Sequence, residues 1–173
     1  MKNIVTPLSI ILFLSSFLAF AQDDQSIIKS TEDSENHTTL LAAVRAVDLE
    51  RTLDEDGPFT VFAPSDIAFK KLSADKVANL LLPENKQELH SVVTYHIVAG
   101  ELTASKMLKA MCRGKGKATF TTVQGNEITA TMRGVDIVLT DNFGNTAKIT
   151  TADSNQCNGV IHEIDSVILP KKL

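Results

Sequence analysis

The hydrophobic period of this chain changes once, and that change narrows the folds open to it. Between Leu40 and Met111 the apolar residues recur at helical spacing, whereas from Ala118 onward they alternate. In Glu127 to Met132, for example, Ile128, Ala130 and Met132 point one way while Glu127, Thr129 and Thr131 point the other. Val135, Ile137 and Leu139 repeat the pattern, and Ala147 and Ile149 repeat it again. The turn clusters QGN, RG and DNFGN separate these runs. The second half therefore reads as an antiparallel meander with one dry and one wet face. Helices first and strands later make an α+β domain around one core.

In the first half, Leu40, Leu41, Val44 and Val47 form one apolar stripe behind Thr38 or Thr39 as cap, and Asp56-Gly57-Pro58 ends it. Phe59 to Ala63 (FTVFA) is a short strand that stops at Pro64. Pro64-Ser65-Asp66 opens a helix carrying Ile67, Phe69 and Leu72, and Ser73 caps the next, with Val77, Leu80 and Leu81 inward. Pro83 starts a fourth helix with Leu89, Val92 and Val93 as its stripe. Tyr95 to Val98 turns β-like before Gly100, and Thr103 to Met111 is a last short helix.

Residues 1–21 stand outside this scheme. Lys2 precedes the apolar run Leu8 to Phe20, and Ala19-Phe20-Ala21 has the small-x-small form that a signal peptidase cuts after. Pro7, Ser9, Ser15 and Ser16 interrupt a run already short of the roughly 20 apolar residues a spanning helix needs. The expectation is an exported protein, periplasmic or extracellular, that starts at Gln22 with a short polar leader over 22–25. The remainder has the length of one domain, and no linker or repeat divides it. Asn36-His37-Thr38 matches a glycosylation sequon, relevant only in a eukaryotic secretory route.

Charge and motif content exclude several function classes. With 17 basic against 21 acidic side chains the net charge is −4, which disfavours nucleic acid or an anionic membrane as partner. No G-x-S-x-G elbow, phosphate-cradling glycine loop or H-E-x-x-H pattern occurs. The four histidines, His37, His90, His96 and His162, never pair at helical ligand spacing, so neither a metal nor a cofactor is implied. Asp54 to Gly57 is acidic but lacks the alternating ligands of a calcium loop.

The closing segment Asn158 to Pro170, NGVIHEIDSVILP, poses the sharpest question. Its apolar residues fall at both parities, as in a central strand covered on both faces, yet it carries His162, Glu163 and Asp165. Glu163 and Asp165 would share a face about 7 Å apart, a range that paired hydrolytic carboxylates can use. A sugar cleft also needs aromatics, and the chain has no Trp and one Tyr. The simpler reading makes His162 a buried hydrogen-bonding residue and places the acids at the sheet rim.

Three segments together resemble the signatures of fasciclin domains: GPFTVFAPSDIAFKKL (57–72), LHSVVTYHIVAG (89–100) and NGVIHEIDSVILP (158–170). The likeness runs over about 26–171. It implies a wedge-shaped α+β fold, an antiparallel β-sandwich with a layer of short helices. Thr60, Pro64, Asp66, Asn158, Gly159, His162 and Asp165 would be its structural motif residues. Tyr95 and His96 match the Tyr-His pair implicated in adhesion for some animal members. The implied function is that of a secreted, non-enzymatic recognition or adhesion module for cell-surface or matrix protein or polysaccharide. A periplasmic protein binding a small ligand or polysaccharide between sheet and helices is the alternative.

Two cysteines, Cys112 and Cys157, occur in the exported part, and an even count there points to a bridge. Two free buried thiols are the other possibility. The bridge requires the last strand to pair beside the start of the meander, bringing the Cα atoms within roughly 4.4–6.8 Å. Many relatives carry Ser or a similar small residue where Cys157 stands, so the family pattern does not supply the bridge.

Overall fold

The computed structural model describes residues 25–170. The expected signal segment 1–21, its cleavage site and all of the leader but Gln25 lie outside the described residues. Three helices open the fold: α1 (Ile27–Glu32), α2 (Thr38–Ala46) and α3 (Glu50–Glu55). Strand β1 (Phe59–Pro64) leads through α4 (Asp66–Lys70), α5 (Ala74–Leu80) and the short 3-10 turn Pro83–Asn85 into α6 (Lys86–Tyr95). There follow β2 (Ile97–Ala99), α7 (Ala104–Arg113), β3 (Lys117–Thr121), β4 (Glu127–Arg133), β5 (Asp136–Thr140), β6 (Thr146–Gln156) and β7 (Gly159–Ile164).

The seven strands among the described residues belong to one sheet in the order β2-β1-β7-β6-β5-β4-β3. Only β1 and β7 run parallel; every other pair is antiparallel. An isolated bridge between Val98 and Thr122 brings the chain just past β3 back to β2, so the sheet nearly closes on itself. The expected sandwich is thus a single curled sheet in place of two separate layers.

Side chains of opposite parity on β1 and β7 enter two different cores. Val61, Ala63 and Ile161 join Ile27, Leu40 and Val92 under the helices. Phe62 and Ile164 join Met107, Ile128 and Leu139 inside the curl, where α7 packs against β3 and β4. This double coverage explains why β7 is apolar at both parities. At the β1–β7 junction only glycine fits: a Cβ on Gly159 (φ +153°) would lie 1.9 Å from the Phe59 carbonyl oxygen.

Several expectations are corrected. Helices α1 and α3 lack a legible stripe because each is six residues long. Their stability comes from packing, helped in α1 by the Ser26 cap, which accepts from the Lys29 amide at 3.1 Å. The last strand stops at Ile164, and 165–170 leaves the sheet. Val135 sits in the β4–β5 turn and is 93 % exposed, so the inward stripe of β5 begins at Ile137.

The Cys112–Cys157 bridge is absent, and both are exposed free thiols. The reason is strand order, since β7 pairs with β1 and β6, and β6, β5 and β4 separate it from β3. Cys112 rides the end of α7, while the Cys157 amide donates to the Gln25 carbonyl at 2.9 Å.

Candidate binding site

Two histidines lie at the heart of the fold, and backbone groups occupy all four of their ring nitrogens. His162 is fully buried: Nε2 donates to the Leu102 carbonyl at 2.8 Å and Nδ1 accepts the Asp153 amide at 3.1 Å. Its ring stacks on Phe62, with centroids 5.7 Å apart. The bulge in β6 presents Asp153, whose carboxylate also accepts the Ala104 amide at 2.7 Å at the start of α7. Thr60 accepts the Leu102 amide at 2.8 Å and donates to the Gly100 carbonyl at 2.6 Å, holding the loop that carries His162's acceptor. His96 donates from Nδ1 to Val92 at 2.8 Å and accepts the Ile168 amide at Nε2 at 3.3 Å. Burial pushes its pKa down to about 4, against the pull of the Val92 carbonyl, so it is neutral at pH 7. His162 is likewise lowered, by burial first, with Leu102 and Asp153 opposing. With no free nitrogen, neither ring can serve as a general base without local unfolding.

An open surface forms where β1 gives way to the helices. Pro64 ends β1 and Ser65 caps α4, accepting the Ala68 amide at 3.2 Å. Asp66 then reaches across to the N-terminus of α2, taking the Thr39 amide at 2.8 Å and the Thr38 hydroxyl at 2.7 Å. Burial pushes this carboxyl up, but the hydrogen bonds from Thr39 and Thr38 outweigh it and hold it below its ordinary value. Docking α4 on α2 in this way leaves a groove of about 620 Å³ between them and α5, walled by Phe69, Leu72, Val77 and Leu81. Ile67 (69 % exposed) stands on α4, and Leu81 and Leu82 follow α5 with their side chains in part solvated. Lys70 lines the groove and makes no ion pair among the described residues. Beneath it an apolar slot continues past Leu40, Leu80 and Val93 to the His96 ring.

The family model of the fasciclin domain matches residues 35–170. The chain belongs to the fasciclin-domain family. It is similar to protein sll1483 of Synechocystis sp., 40 % identical over 149 residues that cover 84 % of this chain and 73 % of that protein. It is also similar to the immunogenic protein MPB70 of Mycobacterium bovis, 31 % identical over 90 % of this chain and 74 % of that protein. Among solved structures it resembles a FAS1 domain pair from the insect cell adhesion molecule Fasciclin I, with a TM-score of 0.74 at 18 % identity. That match covers 84 % of this chain and about half (51 %) of the two-domain chain, and it speaks to the fold alone.

Against the fasciclin motif, the Tyr-His pair is not an exposed contact. Tyr95 is fully buried and donates to the Glu127 carbonyl at 2.8 Å, and His96 is 2 % exposed. Burial, seconded by the charge of Asp141, raises the Tyr95 hydroxyl to about 12. Tyr95 ties α6 to β4, and His96 ties it to the segment after β7, directly behind the apolar slot. Asn158 knots the opposite end: its amide donates to the Leu53, Asp54 and Asp56 carbonyls and accepts the Ile27 amide. Asp165 receives the Lys148 amide at 2.8 Å and Lys71 at 3.2 Å, which hold its carboxyl below the ordinary value despite burial.

Sequence reading missed two features, Lys70 in the groove and, elsewhere, the approach of His37 to Glu163. No local pattern marks either, because residues 37 and 163 meet only through the tertiary fold.

Proposed function

We propose that this fasciclin-domain chain is a non-enzymatic recognition module that binds a cell-surface or matrix protein outside the cytoplasm, through the groove between α2, α4 and α5. The groove itself carries this reading. It joins apolar walls to one cation without an acidic neighbour in ion-pair range, which fits a protein segment presenting an apolar side chain beside a carboxylate. Tyr95 and His96 serve recognition from behind, by fixing α6 under the slot. Adhesion is the role carried in the name of the insect relative, and its fold is shared. The apolar run Leu8 to Phe20 and the Ala19-Phe20-Ala21 site support export, and no helix among the described residues is long and apolar enough to cross a membrane.

The test compares capture from the source cell's surface and matrix fraction by wild type, Val77→Trp and Lys70→Glu. Val77→Trp fills the groove and Lys70→Glu inverts its charge. Each variant should weaken retention of the captured protein at least about tenfold while melting like wild type. Equal retention by all three would remove the groove from the function. Turnover of an ester or glycoside panel by the purified chain would overturn the non-enzymatic reading.

A further inference from the structure

A second cavity, of about 170 Å³, opens between the α1–α2 connection and the β6–β7 hairpin. Its floor is apolar, from Ala63 and Ile161 on neighbouring strands, and the hydroxyls of Ser30, Thr151 and Ser154 lie around it. His37 and Glu163 lie side by side in its lining. His37 Nδ1 lies 2.8 Å from Ser34 Oγ, which also accepts the Asn36 amide at 3.2 Å. Nε2 is buried and has no hydrogen-bond partner, and Glu163 Oε2 stands 3.7 Å away, beyond hydrogen-bond reach. The other Glu163 oxygen already takes the Thr150 hydroxyl at 2.8 Å.

The arrangement that suits all of these groups has Ser34 donating to Nδ1, which places the imidazole proton on Nε2 facing the carboxylate. A donor and an acceptor then wait side by side. A hydroxyl, which accepts and donates through one atom, satisfies both at once. An ammonium cannot accept from Nε2–H, a carboxylate or phosphate is repelled by Glu163, and an apolar ligand leaves both groups unpaired. Water has the same chemistry, and the cavity has room for several molecules of it. A ligand bearing several hydroxyls around a compact C–H body fills the space and matches the apolar floor.

We propose that this cavity binds a single neutral sugar residue, one hydroxyl of which accepts from His37 Nε2 and donates to Glu163. The residue could be a free monosaccharide or the terminal unit of a glycan, and the chemistry at the cavity is the same for both.

Calorimetric titration of the exported chain with neutral hexoses, their methyl glycosides and short neutral oligosaccharides tests this, with glucuronate and glucosamine as charged counterparts. Saturable binding of at least one neutral sugar in the millimolar range is expected. Retention of the methyl glycoside and the oligosaccharide identifies a glycan end, and their loss identifies a free sugar. Glu163→Ala should weaken binding about tenfold or more. Thr151→Trp, on the exposed rim, should block the cavity, and it carries the test if Glu163→Ala does not fold. Val77→Trp in the groove should leave sugar binding unchanged, so failure here is distinct from failure of the protein-docking reading. No binding by any neutral sugar (a cavity holding water only), equal binding by both rim and Glu163 variants, or indifference to charge would each overturn the proposal.

Discussion

His162 shows how a polar side chain becomes part of a core. It is fully buried, lies opposite Phe62 in the parallel β1–β7 ladder, and meets one backbone donor and one backbone acceptor from different loops. Replacement by Ala removes the stacked ring and strands the Leu102 carbonyl and the Asp153 amide. The cost is about 1–3 kcal/mol for the unpaired groups, with lost packing adding to it. Urea denaturation checks this, and a His162→Ala protein as stable as wild type would refute the structural role. Asn158 reaches similar importance by geometry, one amide joining the C-terminus of α3 to the N-terminus of α1.

Among the elements, those the sequence made legible are the ones whose burial has a period. Ile128 and Ala130 alternate inward on β4 as read, whereas Met132, expected beside them, is 38 % exposed, and α6 buries Leu89, Val92 and Val93 on one face. Where a helix is under two turns long, as in α3, a single buried residue (Leu53) sets no period, and the stretch reads as the tail of the preceding helix. The motif residues could be picked out from three segments, but the partners that define them could not. Asn158 meets Leu53 across 105 positions, and no local rule reports so distant a pairing. The cysteines erred for the same reason, since their proximity hung on which strand β7 joins. Its neighbours turned out to be β1 and β6, leaving Cys112 on α7 and Cys157 in the hairpin turn, both exposed. A thiol reagent added to native, unreduced protein should therefore titrate two thiols per chain without denaturant. None titrating, even after unfolding, would mean a bridge and a different strand order.

At the scale of the whole molecule, two cores share β1 and β7 and are pinned by buried neutral histidines, which makes stability depend on acid. His96 ordinarily titrates near 6.5, but burial lowers it to about 4 in the fold. As pH falls from neutral, the unfolded chain therefore takes up this proton before the folded one does, and folding loses free energy between roughly pH 6.5 and 4. The span of that shift corresponds to about 3 kcal/mol, and below it both states are protonated and the loss levels off. His37 and His162 are shifted in the same direction, also by burial first, and deepen the slope. Asp66 and Asp165 act lower still. Held below the ordinary carboxylate value, they stabilise the fold above it and lose that contribution only as pH drops through their folded values. Melting temperature should therefore fall steadily from about pH 7 to about pH 4, without a maximum near the pI. His96→Gln separates the contributions, because its amide can donate to Val92 and accept from Ile168 without titrating. The variant should lose a substantial part of the slope between pH 6.5 and 4 and keep the part below. A slope identical to wild type would show that His96 takes up its proton in the folded state as easily as in the unfolded one.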